Sequence, residues 1–304
     1  MPSRIRYARL ATERANPRSR ALDLLRPRQI AALMNREDRR AVVAVARARS
    51  DIATAVRMIV AALQRGGRLI FVGAGTSGRL GVIEAAECPP TFGTPPRLVQ
   101  AIMAGGRGAV FRSREGAEDD EIAARRAVRA RVRHGDVVVG ISASGVTPFV
   151  RAALATARQR GARTVLITCN ATGLGTTFAN VRIVPATGPE VLAGSTRLKA
   201  GTATKLVLNT LTTAAMTGLG RVYGNRMVDL QPRSAKLRER ALRLIAEVAG
   251  VSRERALRAF VASGGRVKVA IVIARNGWDA AEASRALRTA SGSLRVVLQK
   301  LRRK

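Results

Sequence analysis

Cysteine, histidine, aromatic residues and acidic residues are all scarce in this chain. Its two cysteines, Cys88 and Cys169, are too few for a disulfide framework. With the single histidine, His134, they cannot furnish a typical zinc cluster, and no serine has a histidine and an acid patterned around it as a triad. His134 itself sits in Arg131-Val-Arg-His-Gly135, before a strand, and reads as part of an exposed turn. An aromatic content of 3% leaves few platforms for stacking single-stranded bases. The longest apolar stretch, Leu206 to Val222, is broken by Asn209, several threonines and Arg221, which marks a buried helix rather than a membrane span. Nothing at the arginine-rich N-terminus resembles a signal peptide, so a cytoplasmic protein with no membrane partner is expected. Acids number 20 against 54 lysines and arginines, a net charge of +34 that favours anionic partners. The arginines run from end to end without a basic block. That pattern points to an arginine-rich proteome and to no specific nucleic acid partner.

With 304 residues and 47% hydrophobic content, the chain can form one large domain and a smaller one around real cores. Residues 1–50 read as a helical leader, with Asn16-Pro17 as a breaker and amphipathic patterning from Arg28 onward. Residues 51–232 alternate between helix and strand. Strands are expected at 68–72, 97–102, 136–141, 163–168 and 181–185, and helices at 76–87, 119–133, 147–160 and 199–221. That alternation predicts an α/β fold with a doubly wound parallel sheet. Residues 233–304 lose the strand signals, and Leu242, Ile245, Val248, Ala256, Phe260, Val269 and Ile273 recur at helical spacing. A small all-helical domain is expected there, with Asn276-Gly277 closing one of its helices.

The most informative stretch is Gly73 to Gly93. An apolar run, Arg68 to Val72, leads into Gly73-Ala-Gly-Thr-Ser-Gly78, where Thr76 or Ser77 would cap a helix whose amides face a phosphate. The tract contains GxGxxG, but Glu84 and Glu87 come too soon to be the ribose-binding acid of a dinucleotide site. A monophosphate suits the hydroxyls better, and a tight turn without a ligand is the plain alternative. Pro89 is expected to end the helix at Glu87. A carboxyl on a last helical turn tends to hold its proton, as a general acid must. Ser142-Ala-Ser-Gly145 repeats the arrangement after a second strand, and Gly194-Ser-Thr-Arg-Leu-Lys199 opens the long helix; taken alone, either could be a simple N-cap. Glu115, Glu118, Asp119, Asp120 and Glu121 hold five of the twenty acids within seven residues. Most would stabilise a helix N-terminus, and Glu118 near the cap would stay ionised. Two carboxyls with opposed pKa shifts are what an acid and base pair requires. Metal-free proton transfer is expected, with no cofactor.

At these residues the chain resembles the N-acetylmuramic acid 6-phosphate etherases of the sugar isomerase (SIS) domain superfamily. The likeness runs through Thr12-Glu13, Asn16-Pro17, Gly73–Gly93, Glu115–Asp119, Gly140–Gly145, Thr187–Thr202, Lys205–Asn209, Val222–Asn225 and Lys236-Leu-Arg. It implies an SIS α-β-α sandwich followed by a helical module like a ubiquitin-associated domain. It also implies a catalytic acid at Glu87 and a second catalytic glutamate at Glu118. The implied substrate, a phosphorylated amino sugar with a lactyl ether, would meet Thr76, Ser77, Gly78, Ser142, Ser144, Gly145, Ser195, Thr196, Lys199 and Lys236. The resemblance further implies a homodimer and a role in cell-wall recycling. A non-catalytic sugar-phosphate regulator like the related glucokinase regulatory protein is the second reading. The chain departs from the family at Val146, where arginine is common, at Leu198, where methionine is common, and at Ala171, where proline is common.

Overall fold

The computed structural model describes residues 10–171, 178–232 and 234–300. The first nine residues of the expected leader, residue 233 where the last domain is expected to open, and residues 301–304 at its end lie outside the described residues. Helices α1 (Pro27–Arg47) and α2 (Arg49–Gln64) lead into β1 (Leu69–Gly73), α3 (Gly75–Phe92), β2 (Val99–Met103), a short α4 (Gly108–Phe111), α5 (Glu121–Arg131) and β3 (Val137–Ile141). Then follow α6 (Pro148–Gln159), β4 (Arg163–Ile167), β5 (Val181–Ile183), α7 (Lys199–Gly218) and a hairpin of β6 (Val222–Tyr223) and β7 (Arg226–Met227). The chain continues as α8 (Ala235–Ala249), α9 (Arg253–Ala262), α10 (Val267–Asn276), α11 (Ala280–Thr289) and α12 (Leu294–Lys300).

The chain forms two compact units. One runs through Ala86 and from Arg97 to Thr212; the other joins Glu87–Pro96 to the chain from Thr213 onward. The first unit holds a five-stranded sheet in the order β2-β1-β3-β4-β5, with every pair parallel. This is the expected doubly wound α/β fold. Two of its three inner strands, β1 and β3, are buried at every residue because helices cover both faces, which is why they read as unbroken apolar runs. On one face Ile70, Val72, Val138 and Leu166 pack with Ala124 and Val128 of α5 and with Phe149, Val150 and Leu154 of α6. Burying a leucine such as Leu154 contributes about 1.5–3 kcal/mol. The register pairs Gly73 with Met103 and Ile141, and Ile141 with Ile167, so the carboxyl ends of four strands lie level. The progression of strand order across the sheet reverses between β1 and β3, and ligands in such sheets bind at that crevice.

Three helix boundaries differ from the sequence expectation. Helix α3 does not end at Glu87: it continues through Pro89 and Pro90 to Phe92. Two prolines remove the amides that would bond the carbonyls of Ala85 and Ala86. The turn is retained by tertiary anchoring, since Cys88 and Phe92 are buried and Arg221 Nη1 donates to the Phe92 carbonyl at 2.8 Å. Helix α5 starts later than residue 119, because the Asp120 side chain caps it by accepting from the Ala123 amide at 2.8 Å. Helix α7 stops at Gly218 rather than 221; Gly220 takes a left-handed φ of 70°, and the chain turns into the β6–β7 hairpin, which two-residue strands left unsignalled.

In the second unit Ala241, Ile245, Ala256, Phe260, Ala270, Ile271 and Ala283 form a separate core among α8 to α11. Gly277 closes α10 in the left-handed conformation expected of Asn276-Gly277. Among the described residues no helix is long and apolar enough to cross a membrane.

Candidate active site

The glycine loop is built by close approach. A β-carbon on Gly78 would lie 2.5 Å from the Gly73 carbonyl oxygen, and one on Gly73 would lie 2.6 Å from the Gly78 amide nitrogen, so only glycine lets strand β1 and helix α3 meet here. Gly75 opens α3 with a φ of +52°, a conformation that also favours glycine. Neither Thr76 nor Ser77 is therefore the N-cap; both lie inside the first turn, and the first helical bond runs from the Gly78 amide to the Ala74 carbonyl at 3.1 Å. The amides before it point off the helix end, where an anion is stabilised. Thr76 and Ser77 are half-buried, and among the described residues their hydroxyls make no hydrogen bond.

The second loop, Ser142–Gly145, follows β3 beside the first. Ser142 is turned inward: it is 2% exposed, its Oγ lies 2.8 Å from Thr147 Oγ1, and it accepts from the Gly145 amide at 2.9 Å. These bonds help to organise the loop. Ser144 is the half-buried hydroxyl here, and Gly145 makes the turn at a φ of +75°. Val146 is buried, so its side chain belongs to the loop's packing.

The GAED loop is tied to this second loop. The Phe149 amide in the first turn of α6 donates to the Glu118 carbonyl at 2.9 Å, while the Glu118 side chain is exposed. Because Asp120 is the cap of α5, Glu118 precedes it by two residues and is not held by that helix end. A cleft of about 140 Å³ brings Glu118 and Glu115 together with Gly75, Ser113, Arg79 and Arg114. Arg79 donates to the carbonyls of Val110 and Ala109, each at 2.8 Å, and Arg114 to that of Gly105 at 2.9 Å, which fixes two positive charges at the cleft wall. Sequence reading missed both arginines. Arg79 directly follows the glycine loop, and that adjacency was the available signal.

The opening of α7 is organised by two acids that the sequence did not single out. Glu190 is fully buried and accepts from the amides of Lys199 and Ala200 at 3.0 and 2.9 Å, occupying the helix N-terminus. Burial raises the Glu190 carboxyl above its ordinary range, only partly offset by those amides and by the charge of Lys199. The Lys199 side chain is turned into the fold. Its ammonium is 1% exposed and paired with Glu37, which also accepts from Asn16 Nδ2 at 2.8 Å. Burial raises the Glu37 carboxyl, but the hydrogen bonds from Lys199 and Asn16 and the charges of Lys199 and Arg40 outweigh it, leaving it below the ordinary carboxylate value. Ser195 and Thr196 stay half-buried, with no side-chain hydrogen bond among the described residues, and Thr76 Cγ2 lies 3.8 Å from where a Gly201 β-carbon would be. The Thr196 carbonyl oxygen lies 3.6 Å from the same point, so Thr196 adjoins the glycine loop.

Two remaining positions belong to the second unit. Lys236 is exposed on the first turn of α8. Glu87 is exposed on α3, five residues before the helix ends, so the helix-end argument for its proton does not apply. Cys169 is buried, and burial pushes its thiol up to about 12, which makes it an inert neutral group. Among the described residues no group of three histidine, cysteine or carboxylate side chains could hold a metal ion.

Residues 51–158 match the family model of the glucokinase regulatory protein N-terminal SIS domain, and residues 116–214 match that of the SIS domain. The chain is 51% identical over 291 residues to the N-acetylmuramic acid 6-phosphate etherase of Geobacillus thermodenitrificans, covering 95% of this chain and 99% of that protein. It is 49% identical to the protein of the same name from a Picosynechococcus species, covering 95% and 97%, and 50% identical to that from Gloeobacter violaceus, covering 97% and 96%. With a parallel sheet of the SIS type and this likeness over nearly its full length, the chain belongs to the N-acetylmuramic acid 6-phosphate etherase family.

Proposed function

We propose that this protein is a carbon–oxygen lyase that cleaves the D-lactyl ether of N-acetylmuramic acid 6-phosphate, giving N-acetylglucosamine 6-phosphate and D-lactate. The observation that carries the reading is the full-length likeness to etherases joined to a cleft that holds Glu118 beside the glycine loop. In the open-chain sugar the aldehyde acidifies the C2 proton. Glu118 removes that proton and Glu87 protonates the departing lactate oxygen; water then adds across the resulting double bond, giving its oxygen to C3 and a proton to Glu87 while Glu118 returns a proton to C2. Both steps are proton transfers by positioned carboxyl groups. The anionic substrate meets the hydroxyls of Thr76, Ser77, Ser144, Ser195 and Thr196 and the amides that open α3. The likeness of residues 51–158 to a regulatory protein's SIS domain favours a non-catalytic sensor, but the etherase likeness and the presence of both glutamates outweigh it. Incubating the protein with N-acetylmuramic acid 6-phosphate should release D-lactate in step with N-acetylglucosamine 6-phosphate. Binding without release would favour the sensor.

A division at residues 50 and 232 is kept as part of this proposal on the ground that the sheet lies wholly between Leu69 and Ile183; the compact units themselves place α1 with the sheet and put the chain from Thr213, including Val228 and Leu230 of the C-terminal core, in the second unit. A cytoplasmic location is proposed with it. We further propose a homodimer. A groove of about 1100 Å³ runs along edge strand β2 between Val82 and Ala85 of α3 and Ala123 and Ala127 of α5, beside Phe111, which is 90% exposed. A sheet edge beside a groove of mixed apolar and arginine-rich lining, with an exposed phenylalanine, suits a partner surface. Sedimentation should show a dimer, and Phe111→Arg should shift it to monomer with loss of lactate release. A wild-type monomer would overturn the dimer.

A further inference from the structure

The end of α3 is the weakest part of that helix by its own covalent structure, since Pro89 and Pro90 supply no amides to it. Its stability there comes from residues far along the chain. Arg221 Nη1 donates to the Phe92 carbonyl at 2.8 Å, and the Arg221 guanidinium lies 3.9 Å from the Asp229 carboxylate. Gly93 packs directly on the backbone of Asp229, where a β-carbon would lie 2.3 Å from the Asp229 carbonyl oxygen. The Asp229 carboxylate in turn accepts from Lys268 Nζ at 2.5 Å. That ammonium is nearly buried and also donates to the carbonyls of Gly220 and Gly292, each at 3.0 Å. Burial lowers the Lys268 pKa while Asp229 opposes it. One chain of contacts therefore joins the last turn of α3 to the segment before β6, to α10 and to the turn before α12. None of these residues has a role in the proposed chemistry, yet all belong with Glu87 to the same compact unit.

We propose that Arg221, Asp229 and Lys268 are positioning residues that hold the proline-weakened end of α3, and thereby Glu87, for proton donation. This gives the C-terminal helical unit a task in the reaction, and it rests on the reading of Glu87 as the acid. Displacing a catalytic group by about 1 Å can cost on the order of 100-fold in rate.

The test compares Arg221→Gln, Arg221→Lys, Lys268→Met and Glu87→Gln in two assays on the full chain. One is D-lactate release, analysed for kcat and KM; the other is exchange of the substrate C2 proton with deuterium from solvent. Arg221→Gln and Lys268→Met are expected to lower kcat for release about 10- to 100-fold. KM should stay within about twofold and C2 exchange should continue, because Glu118 and the phosphate loops are untouched; Arg221→Lys should recover most of the loss by restoring a donor. If Lys268→Met does not fold, the partly exposed Arg221 pair decides alone. Wild-type kcat in Arg221→Gln, or equal losses in exchange and release, would overturn the positioning role. Full release by Glu87→Gln would instead overturn the assignment of the acid, so the two failures are distinct.

Discussion

Glu87→Gln is expected to abolish D-lactate release while leaving the protein folded. The amide keeps the shape of the carboxyl, the position is exposed, and glutamine is as good a helix former as glutamate, so α3 keeps its structure. What is lost is the proton for the lactate oxygen, and a positioned general acid contributes about 10²–10⁴-fold. Release should fall by at least that range, with an unchanged thermal transition. Exchange of the C2 proton should persist, since Glu118 performs it. Glu118→Gln should lose exchange and release together. Release by Glu87→Gln at the wild-type rate would remove Glu87 from the chemistry.

The largest effect on stability is expected from Glu37→Gln. Glu37 and Lys199 are 2% and 1% exposed, and breaking a buried pair from one side leaves an uncompensated charge that costs about 3–5 kcal/mol. For a chain of this size the thermal midpoint should fall by roughly 10 °C. Replacing both partners, as Glu37→Leu with Lys199→Met, should recover most of the loss, because two apolar side chains leave no charge to solvate. The pH dependence has a definite sign. The Glu37 pKa is depressed in the fold, so its contribution is present above the ordinary carboxylate pKa and is lost as pH falls through the folded value. The deficit of Glu37→Gln should therefore shrink on acidification. Glu190 runs the other way: its raised pKa gives a contribution present below the ordinary value and lost as pH rises through the folded one. A deficit for Glu37→Gln that is constant from neutral to acid pH would show that the pair contributes nothing through its charges.

The sheet was legible because its inner strands are buried on both faces and so leave continuous apolar runs between turn residues, as in Val137–Ile141. The glycine loop was legible for a similar reason, since Gly73 and Gly78 answer to a steric demand that acts within six residues. The misread parts depend on partners distant in sequence. A local rule ends α3 at Pro89; Arg221, far along the chain, carries it to Phe92. Spacing marks Lys199 as a cation at a helix start, but whether it meets a phosphate or a carboxylate depends on Glu37, and no pattern links positions 162 residues apart. Ser142 was expected to meet substrate because its loop repeats the glycine-loop arrangement; its bonds to Thr147 and Gly145, which help to order that loop, left no mark in the local pattern.

The membership of Glu87–Pro96 in the second unit has a consequence for synthesis of the chain. Cys88 and Phe92 leave the ribosome more than a hundred residues before Thr213, where the rest of their unit begins. At ordinary elongation rates that is an interval on the order of ten seconds. During it strands β2 to β5 are made in turn and can join β1, while an apolar, proline-weakened helix end stays without its packing partners. This apolar segment is thus expected to be exposed in the middle of translation, and slowing of the ribosome between Pro96 and Thr213 would lengthen that exposure.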